Sequence, residues 1–169
     1  VGIGTYVSRY DLRQPTLEQQ ERLSREIVRL PADSVTQLVI ELPQGKTTLF
    51  REGSVWRLIP QKWRADAAVI DRIVGDLNPL AAESQLSAAA DHPLDPKSFG
   101  LVPAVGRITL IAQGTPTTLL VGGTTPVGHN RYLQVLDRPE IFVVSSRLFE
   151  DANQPLETFR DRRLIQADP

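Results

Sequence analysis

Short apolar segments that alternate with turn residues constrain the fold of this chain more than any other feature. Three such segments lie between residues 35 and 59, separated by the turns Pro43-Gln44-Gly45-Lys46 and Glu52-Gly53-Ser54. Short turns of this composition join antiparallel neighbours. Trp56 alternates with Leu58, so we expect both side chains to face one core. The segment therefore predicts a three-stranded antiparallel meander.

A helix is predicted directly after the meander. Asp66 can accept hydrogen bonds from the free amides of a first helical turn, and Asn78-Pro79 ends the periodic segment. The apolar positions between them recur at helical spacing. They are Val69, Ile70, Ile73, Val74 and Leu77. This stripe is expected to face the core.

The second half of the chain repeats this order with one more strand. Strands are predicted at residues 107–111, 117–121, 132–136 and 141–144, followed by a short helix capped by Ser146. Residues 156–165 are predicted to be a last helix or strand. The fold class is therefore α+β with mainly antiparallel sheets, as β-β-β-α followed by β-β-β-β-α. The pattern suggests two related halves, residues 33–90 and 99–165, and leaves open whether they share one sheet.

The first residues are compatible with the end of a membrane helix. Residues 1–7 are small and apolar, and Arg9 and Tyr10 follow them. Basic and aromatic side chains are enriched where lipid meets water. Seven residues are too few to span a bilayer, which takes roughly 20, so this interpretation places the rest of the helix upstream. A short buried strand or a disordered start is the alternative for residues 1–10.

A helical spacer is predicted between this start and the domain at residues 33–165. The spacer covers residues 11–32. Thr16 and Gln19 form a capping-box pattern, and the composition favours a helix up to Leu30. Pro31 is expected to stop that helix.

Composition excludes several kinds of site. The chain has no cysteine, so it has no disulfide framework, thiolate metal site or thiol nucleophile. A formal net charge of -1 gives no overall attraction to nucleic acid or anionic lipid. The sequence therefore favours a soluble globular domain without nucleic-acid binding.

The motifs that resemble catalytic or cofactor sites lack the residues those sites need. The glycine-rich segment 122–128 has no lysine and contains a proline, so it predicts a hairpin rather than a phosphate loop. His92 and His129 lack metal-ligand spacing, and Ser145-Ser146 lacks the glycines of a nucleophile elbow. We predict no catalytic residue, cofactor or metal. A hydrolase whose carboxylates converge only in the fold is the least favoured alternative.

Two clusters are candidates for contact with a partner. Lys62, Trp63 and Arg64 place a tryptophan between two cations, a composition typical of binding hot spots. The other cluster is R-D-R-R at residues 160–163, which comprises Arg160, Arg162 and Arg163 around one aspartate. The alternatives are a tryptophan that covers the core and a solvated face of paired charges. The sequence leaves both pairs of interpretations open.

The loop at residues 122–132 is a third candidate region. Its last part contains His129, Arg131 and Tyr132, which could contact a small ligand or a glycan. Loops held by a rigid sheet often carry binding residues.

The order of the motifs resembles the DUF4340 family. These are W-R-L-I-P at 56–60, an Asp-capped helix, F-G-L-V-P at 99–103, G-G-T-T-P-V-G at 122–128 and R-D-R-R at 160–163. The resemblance covers residues 35–165, and His129-Asn130-Arg131 is bulkier and more polar than the family loop needs. The resemblance to this family implies an N-terminal membrane helix and a domain outside the cytoplasm. Some family members accompany ABC-transporter components of the gliding-motility type, and the resemblance implies no reaction.

Residues and resemblance together give one functional expectation. The chain is expected to be a non-catalytic, membrane-tethered interaction module, single-pass, in an envelope or transporter assembly. Its expected partners are proteins of a membrane complex, which include ABC-transporter components. A small-ligand or glycan-binding domain that uses the 122–132 loop is the main alternative.

Overall fold

The computed structural model describes residues 16–31, 33–88 and 91–163 of the chain. Three α-helices lie in these residues: α1 (Leu17–Arg25), α2 (Ala67–Leu77) and α3 (Ser146–Ala152). Two 3-10 turns span Pro96–Phe99 and Leu156–Phe159. None of the described helices is long and apolar enough to cross a bilayer. The predicted membrane-helix end at residues 1–10 lies outside the described residues.

Eleven strands lie in the same described residues. They are β1 (Glu26–Val28), β2 (Val35–Leu42), β3 (Gly45–Glu52), β4 (Val55–Ile59), β5 (Trp63–Arg64), β6 (Leu80–Ala81), β7 (Ser84–Gln85), β8 (Gly106–Ala112), β9 (Thr115–Thr124), β10 (Arg131–Val135) and β11 (Ile141–Val144). β1 pairs only with β6. The other nine form one antiparallel sheet in the order β5-β4-β3-β2-β8-β9-β10-β11-β7. The predicted α+β class with antiparallel pairing is confirmed.

The two halves share this single sheet, a question that the sequence left open. β2 and β8 pair side by side, with Leu38 opposite Leu110 and Ile40 opposite Ile108. All four side chains are fully buried. Cross-strand pairs of large apolar residues fix the register, because a slip of one residue would turn the whole set toward solvent. The seam between β2 and β8 is therefore part of the main core.

The helices α2 and α3 cover one face of the sheet. Ile70, Ile73 and Leu77 of α2 belong to the main core, as do Leu148 and Phe149 of α3. Asp66 caps α2 as predicted, because its carboxylate accepts from the amides of Ala68 and Val69. We call this the inner face. The helix stripe predicted between residues 66 and 77 is confirmed.

Among the described residues, the opposite, outer face is covered only over β9 to β11. There Leu120 and Ile141 form a second cluster with Leu101, and Leu86, Leu94, Phe99 and Ala104 pack against it. Farther along the sheet, Phe50 and Ile59 remain more than 40% exposed. The outer face is thus apolar and closed at one end and open at the other.

The predicted helix of residues 16–30 ends earlier in the structure. α1 stops at Arg25, and the next three residues form β1. Ile27 and Val28 are consecutive apolar residues and both are buried in the main core. Pairing with β6 therefore overrides the helical composition of this segment.

Two boundaries in the second half also differ from the prediction. The N-cap of α3 is Ser145 rather than Ser146, because the Ser145 hydroxyl accepts from the Arg147 amide. Within residues 156–163, the described part of the predicted last element, the chain forms neither an α-helix nor a strand of useful length. This part is a 3-10 turn followed by one bridge between Ala65 and Arg160.

Replacing Gly75 with alanine is expected to stabilise the fold by about 0.5–1 kcal/mol, because glycine disfavours a helix interior. A Cβ atom at Gly75 would meet no heavy atom within 4 Å. Gly53→Ala is the control, since Gly53 has a φ of +63° that alanine rarely adopts, and it should be destabilising. Urea unfolding of both variants tests the pair. A loss of stability in Gly75→Ala would contradict the expectation.

Candidate functional site

The two charged clusters singled out in the sequence meet at one edge of the sheet. β5 is the edge strand, and the chain after Phe159 lies against its end. The Asp161 amide donates to the Arg64 carbonyl at 2.9 Å, and the Asp66 amide donates to the Phe159 carbonyl at 2.8 Å. Residues almost 100 positions apart therefore form one surface.

Trp63 lies between the core and this surface. Its side chain is half-buried and packs against the main core. The guanidinium carbon of Arg160 lies 4.1 Å from the centroid of the ring, which is cation–π geometry. Trp63 thus covers the core, which is one of the two interpretations of its sequence position. Arg160, from the second cluster, covers the indole ring in turn.

Lys62, Arg64, Arg160, Arg162 and Arg163 together form what we call the basic edge. All except Arg160 are exposed. Asp161 is the one acid within residues 62–64 and 160–163, so these residues carry an excess of four positive charges.

Asp161 organises this edge from within. One oxygen of its carboxylate lies 3.8 Å from Arg64 Nε, and the other accepts from the Arg163 amide at 3.0 Å. Its side chain is only 16% exposed. The single acid is therefore occupied by internal contacts. The exposed cations Lys62, Arg162 and Arg163 form no ion pair within the described part of the chain.

The glycine-rich segment begins inside a strand rather than in a loop. Gly122 and Gly123 belong to β9, and a Cβ atom at Gly122 would lie 2.5 Å from the Phe99 carbonyl oxygen. The absence of a side chain at Gly122 lets the F-G-L segment pack on the sheet. Beyond the strand, the Thr125 hydroxyl donates to the Val127 carbonyl and accepts from the Asn130 amide. The segment is thus held by its own hydrogen bonds.

The three candidates of the 122–132 loop do not converge. Arg131 lies on the inner face, with its guanidinium carbon 3.9 Å from the centroid of the Phe149 ring. Tyr132 lies on the outer face and meets Phe99 edge to face at 4.9 Å. Neighbouring residues of a strand point to opposite faces. His129 is exposed in the turn, so the structure does not gather these residues into one site.

Glu41 and Glu52 are two carboxylates that the hydrolase alternative could use, but each forms an ion pair with a different cation. Glu41 contacts Lys46 at 3.2 Å, and Glu52 contacts Arg57 at 2.7 Å. Within the described part of the chain, no group of three or more His, Cys, Asp or Glu is placed to hold a metal ion.

Comparison with known proteins identifies the family to which the chain belongs. A family model described as a domain of unknown function, DUF4340, matches residues 56–169, about two thirds of the chain. The chain belongs to the DUF4340 family. No curated protein and no solved structure matches it. The DUF4340 match includes the whole basic edge, whereas β2 and β3 lie outside it although they pair within the same sheet.

Sequence analysis missed a cavity of about 470 Å³ on the inner side of the fold. Arg51, Trp56 and Asp71 line it, from β3, β4 and α2 respectively. Asp71 is exposed on the side of α2 away from its apolar stripe, but a helical pattern cannot show which strand residues lie near it. Only the packing of α2 against the sheet brings these three side chains together.

Proposed function

We propose that this DUF4340 domain is a non-catalytic interaction module and that the basic edge binds an acidic surface of a protein partner. The observation that carries the proposal is the meeting of the two clusters on one sheet edge. Arginine forms bidentate, charge-assisted hydrogen bonds with carboxylates, which makes a cluster of exposed guanidinium groups suited to an acidic surface. Because Asp161 is the one acid in these two segments, most of the positive charge of the basic edge is available to a partner.

Arg160 and the backbone of the edge are also held in place before binding. Stacking on Trp63 holds Arg160, and the hydrogen bonds at Arg64 and Asp66 hold the backbone of the second cluster. Side chains and loops that are already ordered lose less conformational entropy on association. Tryptophan and arginine are also the residues most enriched at binding hot spots.

We further propose that the partner belongs to a membrane-associated assembly outside the cytoplasm. The support is the apolar, Arg- and Tyr-terminated start of the sequence and the membrane anchoring that the family resemblance implies. ABC-transporter components are the first candidates, for the same reason. A ligand site in the 122–132 loop has less support, because Arg131 and Tyr132 lie on opposite faces of the sheet.

Reversing two charges of the basic edge is expected to weaken partner capture about tenfold or more, since close interfacial charge pairs contribute several kcal/mol. The variant is Arg162→Glu with Arg163→Glu, both exposed. Affinity capture from detergent-solubilised membranes, with the full-length protein as bait, measures the effect. Capture by the unsubstituted protein should also weaken as salt rises.

Arg72→Glu with Arg138→Glu is the matched control, because both residues are exposed and lie elsewhere in the fold. It changes the net charge by the same amount and should leave capture intact. Equal losses in the two double variants would show that only net charge matters and would contradict the proposal. If the full-length protein does not sediment with membranes, the proposed membrane anchor is wrong, even if the basic edge binds a protein partner.

A further inference from the structure

The cavity beside α2 has an apolar floor and a polar rim. Val35 and Trp56 form the floor and are 3% and 6% exposed. Arg51, Ser54 and Asp71 stand on the rim. Its volume of about 470 Å³ is within the range of small-molecule sites, roughly 300–1,000 Å³.

Several polar groups of this cavity have no partner in the described part of the chain. The indole N–H of Trp56, the hydroxyl of Ser54 and the carboxylate of Asp71 make no hydrogen bond or ion pair there. A largely buried tryptophan usually places its N–H on an acceptor. These groups are therefore available to a bound molecule.

Arg51 supplies a further donor in a fixed position. Its Nε donates to the Gly53 carbonyl at 3.1 Å and its Nη1 donates to the Asp33 carbonyl at 3.3 Å. The Nη2 group takes part in neither bond. Two backbone carbonyls and the Asp33 carboxylate, whose Oδ1 lies 3.9 Å from Nη1, thus hold the guanidinium and leave Nη2 outside these contacts.

Charge and hydrogen-bond type together limit the ligand. Asp33, Arg51 and Asp71 sum to a net charge of -1, which disfavours phosphates and other anions. An amine could satisfy Asp71 but would leave the donors of Trp56 and Arg51 without acceptors. Hydroxyl groups both donate and accept, so a ligand with several hydroxyls matches donors and acceptors at once.

We propose that this cavity binds an uncharged polyhydroxylated ligand, namely a mono- or disaccharide. Asp71 accepts from ligand hydroxyls, while Trp56 Nε1 and Arg51 Nη2 donate to ligand oxygens, and Val35 and the indole ring contact its carbon face. Gly75 also lines the cavity, and a Cβ atom there would enter open space. No cavity residue belongs to the basic edge, so this site does not depend on the proposed function.

Titration calorimetry with D-glucose, N-acetyl-D-glucosamine and cellobiose tests the site, with inorganic phosphate and putrescine as charged comparisons. We expect saturable binding of at least one neutral sugar. Asp71→Ala should weaken that binding about tenfold or more, the usual effect of losing hydrogen bonds to a charged group. Gly75→Gln, which keeps every charge, should weaken it by filling the cavity.

Two controls make the result specific. Glu140→Ala removes an exposed acid elsewhere and should not change sugar binding. Arg162→Glu with Arg163→Glu should not change it either, so failure of this site and failure of the basic edge can be told apart. Binding of no neutral sugar, binding of phosphate or putrescine alone, or sugar binding that Asp71→Ala leaves unchanged would each overturn the proposal.

Discussion

Replacing Phe159 with alanine is expected to lower the free energy of unfolding by about 3–5 kcal/mol, the usual cost of truncating a buried phenylalanine. Phe159 is the largest fully buried side chain of the described core. It lies at the end of the last 3-10 turn, and its carbonyl accepts from the Asp66 amide at the start of α2. Loss of the ring leaves a cavity in the main core directly before the second cluster. Urea unfolding followed by tryptophan fluorescence measures the change.

Phe50→Ala is the matched control for this substitution. Phe50 lies in β3 on the open outer face and is 44% exposed. Its truncation should cost about 1 kcal/mol or less, because little apolar area leaves water on folding at this site. Similar losses at the two positions would mean that the chain after residue 156 is not packed as described.

Gly122→Ala is expected to destabilise the fold by about 1–3 kcal/mol through overpacking. The new Cβ atom would lie 2.5 Å from the Phe99 carbonyl oxygen and 3.0 Å from Leu101 Cδ2. The first of these is a backbone atom, so relief requires movement of the F-G-L segment rather than of a side chain. Thermal and urea unfolding of the variant test the expectation.

The neighbouring glycine provides the comparison. At Gly123 the nearest atom to a new Cβ is the same Phe99 oxygen, but at 3.6 Å, an ordinary contact distance. Gly123→Ala should therefore change stability by less than about 0.5 kcal/mol. If Gly123→Ala cost as much as Gly122→Ala, the cause would be backbone conformation and not close packing.

The regular elements were predictable because their periodicity is local. The meander of residues 35–59 and the stripe of α2 each repeat within a few residues, and burial follows the pattern. The short strands were not predictable, since two or three residues cannot show a period. β1 is the clearest case, because only its pairing with β6, some 50 residues away, separates it from a helix.

The candidate site was predictable only in parts. Trp63 and the arginines of residues 160–163 stood out by composition, but their stacking depends on a bridge between distant segments. The cavity gave no signal, since Arg51, Trp56 and Asp71 come from separate elements. In the 122–132 loop, adjacency in sequence was misleading, because strand alternation sends Arg131 and Tyr132 to opposite faces.

The order of the strands shows that the folded sheet is larger than the part of the chain that matches the family. The DUF4340 match begins within β4, yet β2 and β3 lie between β4 and β8. A fragment limited to the matched residues would leave β4 and β8 with open edges facing a gap two strands wide. Unpaired edges of this kind favour association between chains. A fragment of this protein that folds by itself therefore has to begin before Val35, so that it includes β2 and β3. This start lies upstream of residue 56, where the DUF4340 match begins.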